Sequence, residues 1–384
     1  MRVGIFLFGG VEMDDAGSGP PVSTDRRYDN KVIWEATERI LEVGVLADRR
    51  GFDSFWLTEH HFQYEGYEVV PNGILAGVAL AERTEQLRIG TMFNVVGNWH
   101  PLRLAEDFAT LHNLSRGRAV LGLGRGTVPR EAEPLGSRIG SFDNPDAVEA
   151  DRFNRRQFDE AVEVIRLALD QERFAFHGEI YDIPPPGIPD RGGQVEELSL
   201  IPRPLYPYET WQAITSPPTL EIVPRKGWGG VMWLKHHVLL ERFWNRYAEI
   251  YQEEHGRALE PGENRMLVVN TCVADTREEA VAQVRPGHDE FWKFLGPYGW
   301  SRGYLGADGK PAPAGLIPTL EESMDGQVWL VGTADDVAEQ IDRLAGRLGG
   351  LHDLILFPAM PGDRYEIVED QLHRLADGVL PRLG

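Results

Sequence analysis

Three stretches of this 384-residue sequence set chemically capable side chains at the end of an apolar run. In Phe55-Trp56-Leu57-Thr58-Glu59-His60-His61-Phe62, an acid and two histidines follow large apolar residues. An imidazole titrates at about pH 6.5, so either histidine could move a proton near neutrality. A packed, hydrogen-bonded structural histidine is the plainer alternative. Neighbouring residues of an extended chain face opposite ways, so His60 and His61 are poorly placed to share a metal, and no HExxH spacing accompanies them. In Gly122-Leu123-Gly124-Arg125-Gly126, an arginine stands between two glycines. Glycine lets a ligand approach the backbone and arginine grips phosphate oxygens, so this is either an anion site or a surface arginine in a glycine turn. The spacing G-x-G-x-x-G is not met. In Thr215-Ser216-Pro217-Pro218-Thr219, small hydroxyl residues precede a helix, either as phosphate donors or as a simple N-cap.

Elements that could carry these stretches alternate along the chain. Eight strands are expected, at Arg2–Phe8, Asp53–Thr58, Leu87–Val95, Arg118–Leu123, 210–215, 229–234, 266–274 and within "HDLILFPAM". Helical spacing predicts helices at Trp34–Arg50, Asn72–Arg83, Pro101–Leu114, Asn154–Leu169, Leu239–Glu254, from Thr276, over "TADDVAEQIDRLAGRLG" and at Arg364–Ala376. Apolar strands separated by helices mean a parallel sheet covered by helices, and eight units suggest a closed α/β barrel, the (β/α)8 TIM barrel. One domain over 1–384 is expected, with insertions near 126–150, 172–209 and 285–326 at the C-terminal face of the barrel. Function then belongs at the strand C-termini, where all three stretches fall. Trp99, Trp211, Trp228, Trp233, Trp292, Tyr298, Trp300 and Tyr304 lie in the connecting segments and suit an apolar cavity for a flat cofactor or a bulky apolar substrate.

Composition excludes several classes. A net charge of -21 repels nucleic acid and anionic membranes, so an anionic ligand needs a local basic site. A single cysteine, Cys272, leaves no internal disulfide and no cysteine-rich zinc site, which fits a reducing cytoplasm. "MRVGIFLFGG" reads as a first strand rather than a signal peptide.

In this order, "GFDSFWLTEHHF", "IGTMFNVVGNWHPLRLAEDFATLHNLSRGRAVLGLGRG", "TSPPT" and "VGTADDVAEQI" resemble the bacterial luciferase-like family of flavin-dependent monooxygenases. The resemblance implies reduced FMN at the strand C-termini, O2 as oxidant and a separate flavin reductase. It implies that Arg125, Thr215, Ser216 and Thr219 meet the FMN phosphate, although Thr215 replaces the family's acid. Met92-Phe93 would form a non-prolyl cis peptide under the flavin, with Asn94 and Gly124 beside it; Gly124 replaces the cysteine of luciferase. His60 matches the family's proton-handling histidine, and Trp99 and Trp233 would line the substrate side. Family members usually pair as homodimers through the helices after strands two and three. The resemblance leaves two alternatives to the FMN monooxygenase, an F420-dependent oxidoreductase and a non-catalytic flavin-binding protein. It does not identify the substrate.

Overall fold

Eight short apolar strands pair in parallel until the last meets the first. In the computed structural model these are β1 (Arg2–Phe6), β2 (Ser54–Leu57), β3 (Arg88–Thr91), β4 (Ala119–Gly124), β5 (Thr210–Ala213), β6 (Gly229–Met232), β7 (Arg265–Val273) and β8 (Asp353–Phe357). Each pairs with the next, β4 with β5 included, and β8 pairs with β1, for example Ile5 with Leu356. The result is a closed (β/α)8 barrel. The structure describes residues 1–19, 26–140, 146–306, 308–313 and 315–383. The expected insertions at 126–150 and 285–326 therefore lie partly outside the described residues.

β4 and β7 are buried at every position, which is why they read as unbroken apolar runs. Their helices present one apolar stripe to the barrel. Pro101–Leu114 begins on a proline with His100 as its cap and buries Leu104, Ala105, Phe108 and Leu111.

Several boundaries differ from the sequence expectation. The helix expected from Asn154 begins at Ala147, two turns earlier. The helix capped by Thr276 runs from Arg277 to Leu295, through Pro286. A proline inside a helix normally breaks it. Here the second half buries Glu290, Phe291, Phe294 and Leu295, and tertiary packing overrides the local cost. An extra strand at Trp329–Gly332 pairs with the far end of β7, Asn270 to Val273. The Pro/Gly-rich stretch 172–209 does not end at the C-terminal face. Glu209 pairs with Arg2 and Arg88 at the opposite strand ends, and Leu205 is bonded by Asn113 at the end of its helix. The reason is topological: a segment joining a helix end to the next strand start must arrive at the N-terminal end of the barrel. From the segment after β7, Leu295 and Trp300 do reach the C-terminal mouth. Among the described residues no helix is long and apolar enough to cross a membrane.

Candidate active site

At the C-terminal mouth the strand ends surround a cavity of about 180 Å³. One side is apolar, formed by Phe6 and Phe8 from β1 and its extension, Trp233 after β6, and Leu295 and Trp300 from the segment after β7. Phe8 packs face to face with Phe291 at 5.9 Å and edge-on to Trp233 at 5.8 Å, which fixes this wall. Met92, Phe93 and Gly124 form another side, and the peptide between Met92 and Phe93 is cis. A Cβ on Gly124 would stand 2.8 Å from Phe93 Cβ, so glycine keeps this wall open.

Arg125, Thr215 and Thr219 reach the same cavity from the ends of β4 and β5. Arg125 Nη1 donates to Asp151 at 3.0 Å and to Asn154 at 3.1 Å. Asp151 is shared with Arg155, at 2.8 Å, so it keeps a cation if Arg125 turns to a ligand. Behind Thr215 lies an ammonium that sequence reasoning passed over: Lys235 is buried, donates to the Thr215 carbonyl at 3.3 Å, and is pushed down to about 8 by burial. The neighbouring His236 caps the helix His237–His255, so "WLKHHV" is a strand-to-helix junction.

His60 also lines the cavity, between two glutamates. Its Nε2 lies 2.8 Å from Glu68 Oε2 and its Nδ1 3.0 Å from Glu131 Oε2. Burial opposes the imidazolium, but Glu68 and Glu131 outweigh it and hold His60 well above its ordinary value. The near-neutral titration expected from sequence therefore does not apply. Burial pushes Glu68 up to about 7, with His60 offsetting part of the effect. Glu131 sits below the usual carboxylate range; burial would raise it, but His60, Gln63 and the backbone N–H of His61 win. The two ring nitrogens face different carboxylates, so the three side chains share no metal-binding point. Among the described residues no cluster is arranged to hold a metal.

Three of the expected residues lie off the cavity wall. The Trp99 indole N–H donates to Glu59 at 2.9 and 3.0 Å. Asn94 is buried and ties its amide to the Gly122 carbonyl at 2.8 Å. Ser216 faces Thr219, with their hydroxyl oxygens 3.1 Å apart. His61 turns away from His60 to Glu59, at 3.2 Å.

The sequence profile of the luciferase-like monooxygenases matches residues 1–351. The chain belongs to that family. It is an oxidoreductase on a (β/α)8 scaffold. It is 27% identical to a limonene 1,2-monooxygenase of Rhodococcus erythropolis over 319 residues, 82% of this chain and 73% of the relative. An F420-dependent glucose-6-phosphate dehydrogenase of Microbacterium testaceum is 35% identical over 158 residues, 40% of this chain and 44% of the relative. Among solved structures, the oxygenating constituent of 3,6-diketocamphane monooxygenase from Pseudomonas putida, in complex with FMN, superposes with a TM-score of 0.73 at 21% identity, covering 100% of this chain and 99% of that one.

Proposed function

We propose that this luciferase-like oxidoreductase is an FMN-dependent monooxygenase that oxygenates a medium-sized apolar organic substrate with O2, its flavin reduced by a separate reductase. The observation that carries this reading is one cavity that joins a cation-and-hydroxyl end to an aromatic end. The residues suit the group. Arg125, Thr215 and Thr219 are donors matched to a phosphate, and the wall of Met92, Phe93 and Gly124 is bare enough for a flat ring. When bound, reduced FMN supplies the electrons that activate O2. The chain's own residues do the rest. Arg125 and the hydroxyls hold the phosphate and so fix the ring. Phe8, Trp233, Leu295 and Trp300 exclude water, and the cluster of His60 and its glutamates holds a proton at the cavity wall.

Binding of oxidised FMN, followed by flavin fluorescence, tests the reading. Arg125→Ala should weaken binding by about 2–4 kcal/mol for a lost charge-assisted pair. Equal affinity would overturn the phosphate assignment. Turnover of reduced FMN and O2 should accelerate with the true substrate.

F420-dependent hydride transfer is the second reading, favoured by the F420-dependent relative. Its longer anionic tail needs a more basic mouth than this one, where Arg125 already faces Asp151 and the chain carries -21. A parallel titration with F420 separates the two. Homodimer formation through the helices Gly73–Ala81 and Pro101–Leu114 belongs to the same reading.

A further inference from the structure

Both ring nitrogens of His60 are occupied by carboxylates, Glu68 at 2.8 Å and Glu131 at 3.0 Å. The ring therefore has no N–H left to present to a molecule in the cavity. The two carboxylates are not equivalent. Glu131 is held in place by Gln63 and by the backbone of His61. Glu68 has a fully buried side chain and lines the cavity, yet among the described residues its Oε1 has no hydrogen-bond partner and its Oε2 has only His60 Nε2 beside it, at 2.8 Å. Buried carboxylates ordinarily gather several donors. A carboxyl group at a cavity wall with only an imidazole beside it is a proton-exchange group waiting for a ligand.

We propose that Glu68 is the group that exchanges a proton with the reacting molecule, that His60 relays the proton, and that Glu131 positions the ring. This deepens the monooxygenase reading and rests on it. Charge balance gives the resting state. With Glu68 protonated, His60 doubly protonated and Glu131 ionised, the buried trio is neutral, which low-dielectric surroundings favour. The transfer then balances without any electron moving. The Glu68 O–H bond breaks as its proton passes to a basic oxygen in the cavity. The His60 Nε2–H bond breaks as its proton passes to Glu68 Oε2, which restores the carboxyl group through its other oxygen and leaves neutral imidazole with its Nδ1–H on Glu131. A solvent proton restores Nε2. The direction of each shift agrees: His60 up, Glu68 up to about 7, Glu131 down. The other charged or titratable groups packed around the trio are already engaged. Glu59 holds Trp99 and His61, Arg130 pairs with Glu65, and Tyr67 donates to Glu290, which also pairs with Lys293. Tyr298 is raised by burial and stays neutral.

The test begins on the protein without cofactor. Infrared difference spectra should show a protonated carboxyl C=O band that titrates near pH 7 and is absent in Glu68→Gln. Imidazole nitrogen NMR should show His60 still doubly protonated above the ordinary range of an imidazole. With reduced FMN and substrate, Glu68→Gln should lose at least 100-fold in turnover and the pH dependence near neutrality, while FMN affinity stays within twofold. Glu68→Asp should keep the pH dependence at reduced rate. Glu131→Gln should lower the His60 titration point by one pH unit or more. No titrating carboxyl band in the wild type, or full turnover of Glu68→Gln with an unchanged pH profile, would overturn the assignment. Failure of the wild type to bind FMN would sink the monooxygenase reading instead, while the spectra would still report on the trio.

Discussion

At the scale of single residues, one missing carbon sets the width of the site. A Cβ on Gly124 would meet Phe93 Cβ at 2.8 Å, closer than packed side chains allow. Gly124→Ala must push Phe93 into the cavity or shift β4, and overpacking of this kind costs about 1–3 kcal/mol. FMN affinity should fall roughly 5- to 150-fold with the circular dichroism spectrum unchanged; equal affinity would mean that no flat ligand rests on this wall. Gly124, Arg125, Thr215 and Trp233 were legible in the sequence because each sits at a strand end, and the barrel brings all strand ends to one mouth. Glu68 and Glu131 were not. Glu68 reaches His60 only because the chain after β2 folds back, through Phe62 at φ 58, until His60 N donates to the Val70 carbonyl. Glu131 comes from 71 residues away, and its acid looks in sequence like any surface glutamate. Trp99 was misplaced for the converse reason. Sequence gives the residue type but not its direction, and its indole found Glu59.

At the scale of elements, the helix Arg277–Leu295 closes the mouth, and one carboxylate clasps it there. Glu290 is fully buried, accepts from Tyr67 at 2.7 Å and Gly17 N at 2.9 Å, and pairs with Arg26 and with Lys293, the latter at 3.0 Å. Burial alone would raise its pKa; Arg26, Tyr67, Gly17 and Lys293 together bring it down to about 2. A depressed carboxylate stabilises the fold above its unfolded value of about 4.3 and loses that contribution as pH falls toward 2. Glu290→Ala leaves the buried Lys293 without its carboxylate and Arg26 with only the exposed Asp15, and should cost about 3–5 kcal/mol at pH 7. The deficit should shrink as pH drops from about 4.5 to 2, measured by urea unfolding, and hydrogen exchange should rise first in 277–306. A pH-independent deficit would remove charge from the explanation. The same helix shows why elements were partly illegible. Pro286-Gly287 reads as a break, yet Gly287 lets the helix close on Met360, whose Cβ a side chain there would meet at 2.2 Å. Likewise, a helix start read seven residues late hid Asp151, the partner of Arg125.

At the scale of the whole molecule, the barrel was readable because its strands are short, apolar and regularly spaced by helices, whereas association depends on which side chains the finished surface leaves over. On the helix Gly73–Ala81 after β2, the glycines are used inside the chain. A Cβ on Gly77 would stand 2.9 Å from Leu111 Cδ2, so this glycine serves contact with the neighbouring helix. What remains outside is Leu75, 67% exposed, on the helix after β2, and Leu114, 50% exposed, on the helix after β3. Two copies of a chain carrying -21 repel each other at long range, and salt screens that repulsion over about 10 Å at 0.1 M. The proposed dimer would therefore need apolar contact for its attraction, and it should tighten as salt rises from 20 to 500 mM (about 22 to 4 Å of screening length). Sedimentation velocity at micromolar protein should show a dimer at the higher salt. Leu75→Glu with Leu114→Glu should give a monomer at both concentrations with an unchanged circular dichroism spectrum. A wild type that stays monomeric at 500 mM salt, or a double variant that still pairs, would move the interface off these two helices.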